Sequence, residues 1–219
     1  MVTTVLKKLQ TLSLSHIMIL GMIGAGIGYY YRIQKSPQNF LEYLNNDVKS
    51  DQITTFAQKI LEHMGVDKNS ITIYTTDGTS CAYSDKMYIN PQRRKLGPLQ
   101  FVIAHECAHI ALDHYAARKN GITIEQGRDQ EQEADLYAAK TLCEMGLEEA
   151  VYERIANLQY GCDHNWESPE YAAEDEHPTL VQNVDYLKKF MKTKNSSSDE
   201  IEKNIKKYTP YFDKMFKLK

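Results

Sequence analysis

The sequence predicts an α+β fold, mainly helical with a small antiparallel sheet, preceded by one N-terminal transmembrane helix. Three observations carry this expectation. Apolar residues recur at helical spacing through most of the chain, the period shortens to about two between Ile71 and Asn90, and no formally charged residue lies between Lys8 and Arg32. With 219 residues, 42% of them hydrophobic and 25% charged, the chain can bury a substantial core. A net charge of -3 lacks the basic surface that phosphate-backbone binding needs, so nucleic acid is not expected as a partner.

Taken in order, the elements begin with "IMILGMIGAGIGYYY", Ile17 to Tyr31, which is almost wholly apolar. The window from Leu9 to Tyr31 is long enough to span the hydrocarbon, and Tyr29, Tyr30 and Tyr31 would sit at an interface as an aromatic belt. A cleaved signal peptide is the rival reading; the lack of an A-x-A site and the triple Tyr favour an anchor. Lys7, Lys8 and the amino terminus tilt the orientation toward a domain on the extracytoplasmic side, or a secreted or periplasmic one if the segment is removed. Three parts result: an anchor or signal segment over 1–35, a folded domain over 36–192, and a flexible linker with an amphipathic tail over 193–219.

Within the folded domain, Ile53, Phe56, Ala57, Ile60, Leu61 and Met64 mark a core-facing helix, capped by Ser50 or Asp51, that Gly65 ends. "ITIYTTDGTSCAYSDKMYIN" reads as two or three short strands turning at Asp77-Gly78 and Ser84-Asp85. Pro98 opens a helix expected to continue to about Tyr115, a second covers about Arg128 to Met145, and a third covers Leu147 to Gln159. Pro178 begins another, striped by Leu180, Val181, Val184 and Leu187. Cys81, Cys107, Cys143 and Cys162 form no CxxC pair, and whether any of them pair is open at this point.

The stretch "FVIAHECAHIALDH" carries the chemistry. At about 100° per residue, His105 and His109 stack on one helix face and can converge on one ion, with Glu106 beside them. Neutral imidazoles bind Zn²⁺ while leaving it positive enough to acidify a water, and a carboxylate in the place of Glu106 can take that water's proton. The bland alternative is a buried helix whose histidines bond to backbone.

A catalytic zinc ordinarily takes three protein donors, so a third is required. On a continuous helix His114 lies about 180° from His105, and Leu112 and Tyr115 occupy the Gly and His places of HExxHxxGxxH. His114 is therefore expected to be structural or exposed. In "DQEQEADLYAAKTLCEMG", Glu131 and Asp135 share a face that Ala138 and Leu142 continue toward the core. Glu131 can supply the third donor, and Asp135 can accept from the other ring N–H of a ligating imidazole. A solvated acidic patch at a helix start is the alternative, and it suits Glu133 and Glu125 best.

"HECAH", "EQEAD" and "EHPTLVQNVDYLKKF", in that order, resemble the membrane-associated gluzincin metallopeptidases grouped with HtpX, the mitochondrial Oma protease and the CAAX prenyl protease. The resemblance covers about Ser80 to Phe190. It implies a zincin-like fold, one Zn²⁺ per chain held by His105, His109 and Glu131, Glu106 as general base, and Asp135 behind the ligands. It also implies His177 as a stabiliser of the tetrahedral oxyanion or a switchable extra ligand, a protein or peptide substrate, and an edge strand at "SCAYSDKMYIN" that such a substrate can extend. The Pro-Gly-Gly turn usual in the family is missing, and one span replaces several. The expected function is zinc-dependent cleavage of peptide bonds at a membrane, possible in protein quality control. A regulatory metallopeptidase of the ImmA/IrrE-like group and an inactive membrane-anchored metal-binding module are the alternatives.

Overall fold

The computed structural model describes residues 50–91, 99–167, 177–194 and 196–217. The expected N-terminal anchor over 1–35 lies outside the described residues. Among the described residues no helix is long and apolar enough to cross a membrane.

Seven helices and three strands are described: α1 (Ser50–His63), β1 (Thr72–Thr75), β2 (Cys81–Ala82), β3 (Lys86–Ile89), α2 (Leu99–Ala111), α3 (His114–Lys119), α4 (Ile124–Glu144), α5 (Glu148–Asp163), α6 (Leu180–Thr193) and α7 (Ser198–Lys217). The fold is mainly helical with a small sheet, an α+β arrangement, as expected. The sheet itself differs from the expectation: it is mixed, not antiparallel. Its order is β1-β3-β2, with β1 parallel to β3 and β2 antiparallel to it.

Asn90 at the end of β3 accounts for the difference. Its side-chain amide donates to the carbonyls of Asp77 (2.9 Å) and Gly78 (2.5 Å), and its backbone N–H donates to the Ser80 hydroxyl at 3.0 Å. The Asp77-Gly78 turn is thereby strapped across the end of the central strand, and the chain comes down on the far side of β3 instead of beside β1. Sequence periodicity marks where strands lie but carries no such information about a connection.

Helix boundaries follow from local chemistry. Thr123 and Thr179 each accept from the backbone N–H three residues on, while Gln126 and Gln182 return the bond to the Thr N–H, so α4 and α6 both open with a capping box. The Thr123 box starts α4 four residues before Arg128, where the apolar pattern alone put it. At the other end, α4 stops where Gly146 takes a φ of 71° and Leu147 N–H reaches back to the Leu142 carbonyl at 2.8 Å. Asn165, at φ 52°, does the same for α5, with Trp166 N–H donating to the Gly161 carbonyl.

The helix expected to run to Tyr115 ends at Ala111. Leu112 N–H still bonds to the Ala108 carbonyl, but Asp113 adopts φ 54° and ψ 36°, and a new short helix starts at His114. Asp is one of the few side chains that tolerates this left-handed conformation.

The core lies where α2 packs against α4, with α1 and the sheet on its other flanks and α5 behind. Phe101, Ile103, Met87, Ile89, Leu142 and Ile155 are all essentially removed from water, each stabilising the fold by about 1.5–3 kcal/mol. Ala104 and Ala108 of α2 and Ala134 and Ala138 of α4 are fully buried. Such small side chains let two helices approach closely, which brings the polar groups they carry within reach of each other. Cys107, on the far side of α2 from His105, is buried with its sulfur 3.8 Å from the Ala57 carbonyl, and all four cysteines are free thiols.

The C-terminal segment forms a long helix, Ser198–Lys217. Ile201, Ile205, Tyr208 and Phe212 of α7 are buried, and the helix packs on α5. Lys207 and Tyr208 both donate to Glu149. Below them Glu153 is buried, and desolvation, with the neighbouring charge of Glu149 adding to it, raises its carboxyl from 4.5 to about 8. A folded-state value above the unfolded one means stability that is complete below pH 4.5 and lost as the pH rises through about 8. Glu153→Gln should therefore match the wild type closely in urea unfolding at pH 4.5 and exceed it by about 5 kcal/mol at pH 9. Equal stability of the two proteins at both pH values would overturn this account of the residue.

Candidate metal centre

α2 and α4 place the predicted residues together. His105 and His109, one turn apart, direct their Nε2 atoms to a common point 3.0 Å from each other, and Glu131 of α4 enters from the opposite side. Its Oε2 lies 3.1 Å from His105 Nε2 and its Oε1 3.4 Å from His109 Nε2. One ligand atom from each of the three residues falls within 4.8 Å of the others, so the cluster could hold a metal ion. Glu131 is buried, which removes the solvated-patch alternative for this residue.

Behind His105, the Nδ1 faces Asp135 Oδ1 at 2.8 Å. The other oxygen of Asp135 accepts from the Tyr186 hydroxyl at 2.5 Å, and that hydroxyl also contacts the Asn183 side chain on the same helix. Asp135 is fully enclosed, so without these partners its charge would be severely destabilised. Tyr186 and Asn183 were not anticipated. Their signal was the i, i+3 spacing of two polar residues beside the buried stripe of α6, in the segment following His-Pro.

Charge within the cluster is tightly paired. Burial disfavours a charged His105, but hydrogen bonds to Asp135 and Glu131 outweigh it and raise the imidazole to about 10. Burial likewise opposes ionisation of Glu131, yet the two histidines hold it far below the usual carboxylate range. His109 goes the other way: burial lowers it to about 4, so it is a neutral ring at pH 7. Glu106, buried on the adjacent position of α2, is raised by desolvation to about 7, an increase that the positive field of His105 limits. A carboxylate poised near neutrality is the kind of group that can both take and return a proton.

Arg118 of α3 was also missed. Its guanidinium donates to Glu131 Oε1 at 2.5 Å and to Gln130 at 3.1 Å. Nothing in the sequence placed α3 beside α4, because the break at Asp113 redirects it. The same break moves His114, which was expected to be structural or exposed and remote from the site. It is buried, with Nδ1 2.9 Å from His109 Nδ1 and Nε2 3.4 Å from Glu133.

His177 sits at the mouth of the cluster. Its Nε2 is 3.6 Å from Glu131 Oε2 and its side chain is 65% exposed. Glu125 is exposed, and Glu133, although solvated, meets His114. The outer edge of β2 has no strand partner among the described residues, and the Glu106 charge is felt at Cys81 in that strand.

Residues 72–158 match the family model described as Peptidase U49. The match spans the sheet, α2, α3, α4 and hence His105, Glu106, His109, Glu131 and Asp135, and it supports a peptidase, a hydrolase acting on protein or peptide substrates. His177, Asn183 and Tyr186 lie beyond it. No curated protein and no solved structure matches the chain.

Proposed function

We propose that the protein is a zinc-dependent endopeptidase of the gluzincin kind, with His105, His109 and Glu131 as ligands. The convergence of two imidazoles and one carboxylate on a single point is the observation that carries the reading. The donor set fits the ion: two neutral-capable nitrogens and one carboxylate, from two rigid helices, form the His₂Glu set of catalytic zinc. When bound there, zinc acidifies water and polarises the scissile carbonyl.

The chain's own residues supply the rest. Asp135 accepts from His105 Nδ1–H and so keeps Nε2 turned toward the cluster, and Tyr186, itself in contact with Asn183, holds Asp135 in turn. Glu106 accepts a proton from the attacking water and returns it to the leaving amine, a role that its value of about 7 suits. His177, exposed and next to Glu131, would donate to the oxyanion as it forms. A substrate strand adding to the edge of β2 would run beside Glu106. The uncharged stretch from Leu9 to Tyr31 supports an enzyme tethered to a membrane by a single span, with the domain on the extracytoplasmic side.

The purified protein should contain about one zinc per chain and cleave casein. A chelator should abolish cleavage and added zinc restore it. Absence of stoichiometric metal from protein reconstituted with zinc would sink the reading.

A further inference from the structure

His109 and His114 face each other through their Nδ1 atoms at 2.9 Å, with His114 buried and its other nitrogen directed at Glu133 on α4. A hydrogen bond between two ring nitrogens needs one to donate and the other to accept. His109 Nε2 is the atom that faces His105 and Glu131, so it is the nitrogen available to a cation and must then carry no proton. Its Nδ1 consequently bears the hydrogen. His114 Nδ1 must accept, which leaves the hydrogen of His114 on Nε2, where the Glu133 carboxylate lies 3.4 Å away. Every tautomer along the line is fixed by the one before it.

We propose that His114 is a positioning residue for the metal centre, acting through His109, with Glu133 setting its tautomer from the solvent side. The proposal rests on the zinc reading above. Each ligating imidazole then has its own support: His105 leans on Asp135 and Tyr186, while His109 leans on a second imidazole backed by a carboxylate. The two supports differ in setting, since Asp135 is enclosed whereas Glu133 is 63% exposed at its side chain. Among the described residues no backbone carbonyl meets His109 Nδ1, so removing the His114 acceptor leaves a ring N–H in a largely buried place with its bond unmade, and loosens the orientation of the ligand.

Zinc affinity, measured by competition with a chromophoric chelator, tests this in the full chain without reference to turnover. His114→Phe should bind zinc about 10- to 100-fold more weakly than the wild type. His114→Asn, whose side-chain oxygen stands near the place of the lost Nδ1, should recover affinity to within about threefold of the wild type. Nitrogen-15 spectra of the zinc-loaded wild type provide a readout that needs no variant: His109 should be protonated at Nδ1 and His114 at Nε2. Wild-type affinity in His114→Phe, failure of a folded His114→Asn to recover it, or a proton on His114 Nδ1 would each overturn the proposal. A wild-type protein that binds no zinc would instead overturn the metal-centre reading beneath it.

Discussion

Glu106→Gln is expected to lower kcat for casein or a peptide substrate by about 10² to 10⁴ while leaving zinc content and thermal stability close to wild type. The argument is one of isolation. Glu106 is buried next to His105 but belongs to none of the hydrogen bonds described that hold His105, His109 or Glu131, so the amide can replace the carboxyl without disturbing those contacts. What the amide cannot do is accept the proton of an attacking water. At a value of about 7, raised by burial and limited by His105, the carboxyl exchanges protons readily at neutral pH, and Gln removes that capacity entirely. Parallel loss of zinc and activity would show Glu106 to be a structural group. Undiminished turnover in a folded, zinc-loaded variant would remove it from the chemistry and favour a centre that binds metal without hydrolysing peptides.

Glu131→Gln should produce the second large effect, on affinity and stability together. The carboxylate meets four partners: His105, His109, Arg118 and His177. An isosteric amide keeps the volume but withdraws the negative charge from a buried place surrounded by cationic or donor groups. Zinc affinity is expected to fall by at least about 100-fold, since loss of an outer partner alone typically costs 10- to 100-fold. In the metal-free protein the charges of His105 and Arg118 lose their counterion. Breaking such a buried pair by removing one member costs about 3–5 kcal/mol, and the lower figure is expected here because Arg118 reaches solvent. Calorimetric zinc titration and urea unfolding of the metal-free variant read the two effects separately. Unchanged zinc affinity would exclude Glu131 as a ligand.

Much of this centre could be read from residue spacing because its makers are helices of regular period. His105, Glu106 and His109 lie within one turn, and the four-residue interval between Glu131 and Asp135 put both carboxylates on one face. The apolar faces of α1, α2, α4 and α6 were similarly legible, since burial imposes the period directly. Failures came where a single residue altered the path of the chain. Asn90 straps a turn over the end of β3, and the sheet becomes mixed as a result. Thr123 starts α4 earlier than its apolar stripe does. Asp113 interrupts a helix that periodicity would extend, and with it the positions of His114 and Arg118 escape prediction. Tyr186 and Asn183 left only a faint signal, their i, i+3 spacing, because their importance comes from a neighbour on another helix, which one-dimensional spacing does not record.

Motif arithmetic assumes constant angular increments, so the nine residues from 105 to 114 ought to separate two rings by half a revolution. One α-carbon of opposite twist resets that count and makes the rings at 109 and 114 adjacent. Substitution at 113 is accordingly governed by torsion rather than by reactivity: Gly and Asn fit the required backbone, whereas Val and Ile resist it. A residue outside the cluster thus decides, through handedness alone, which ring stands beside His109.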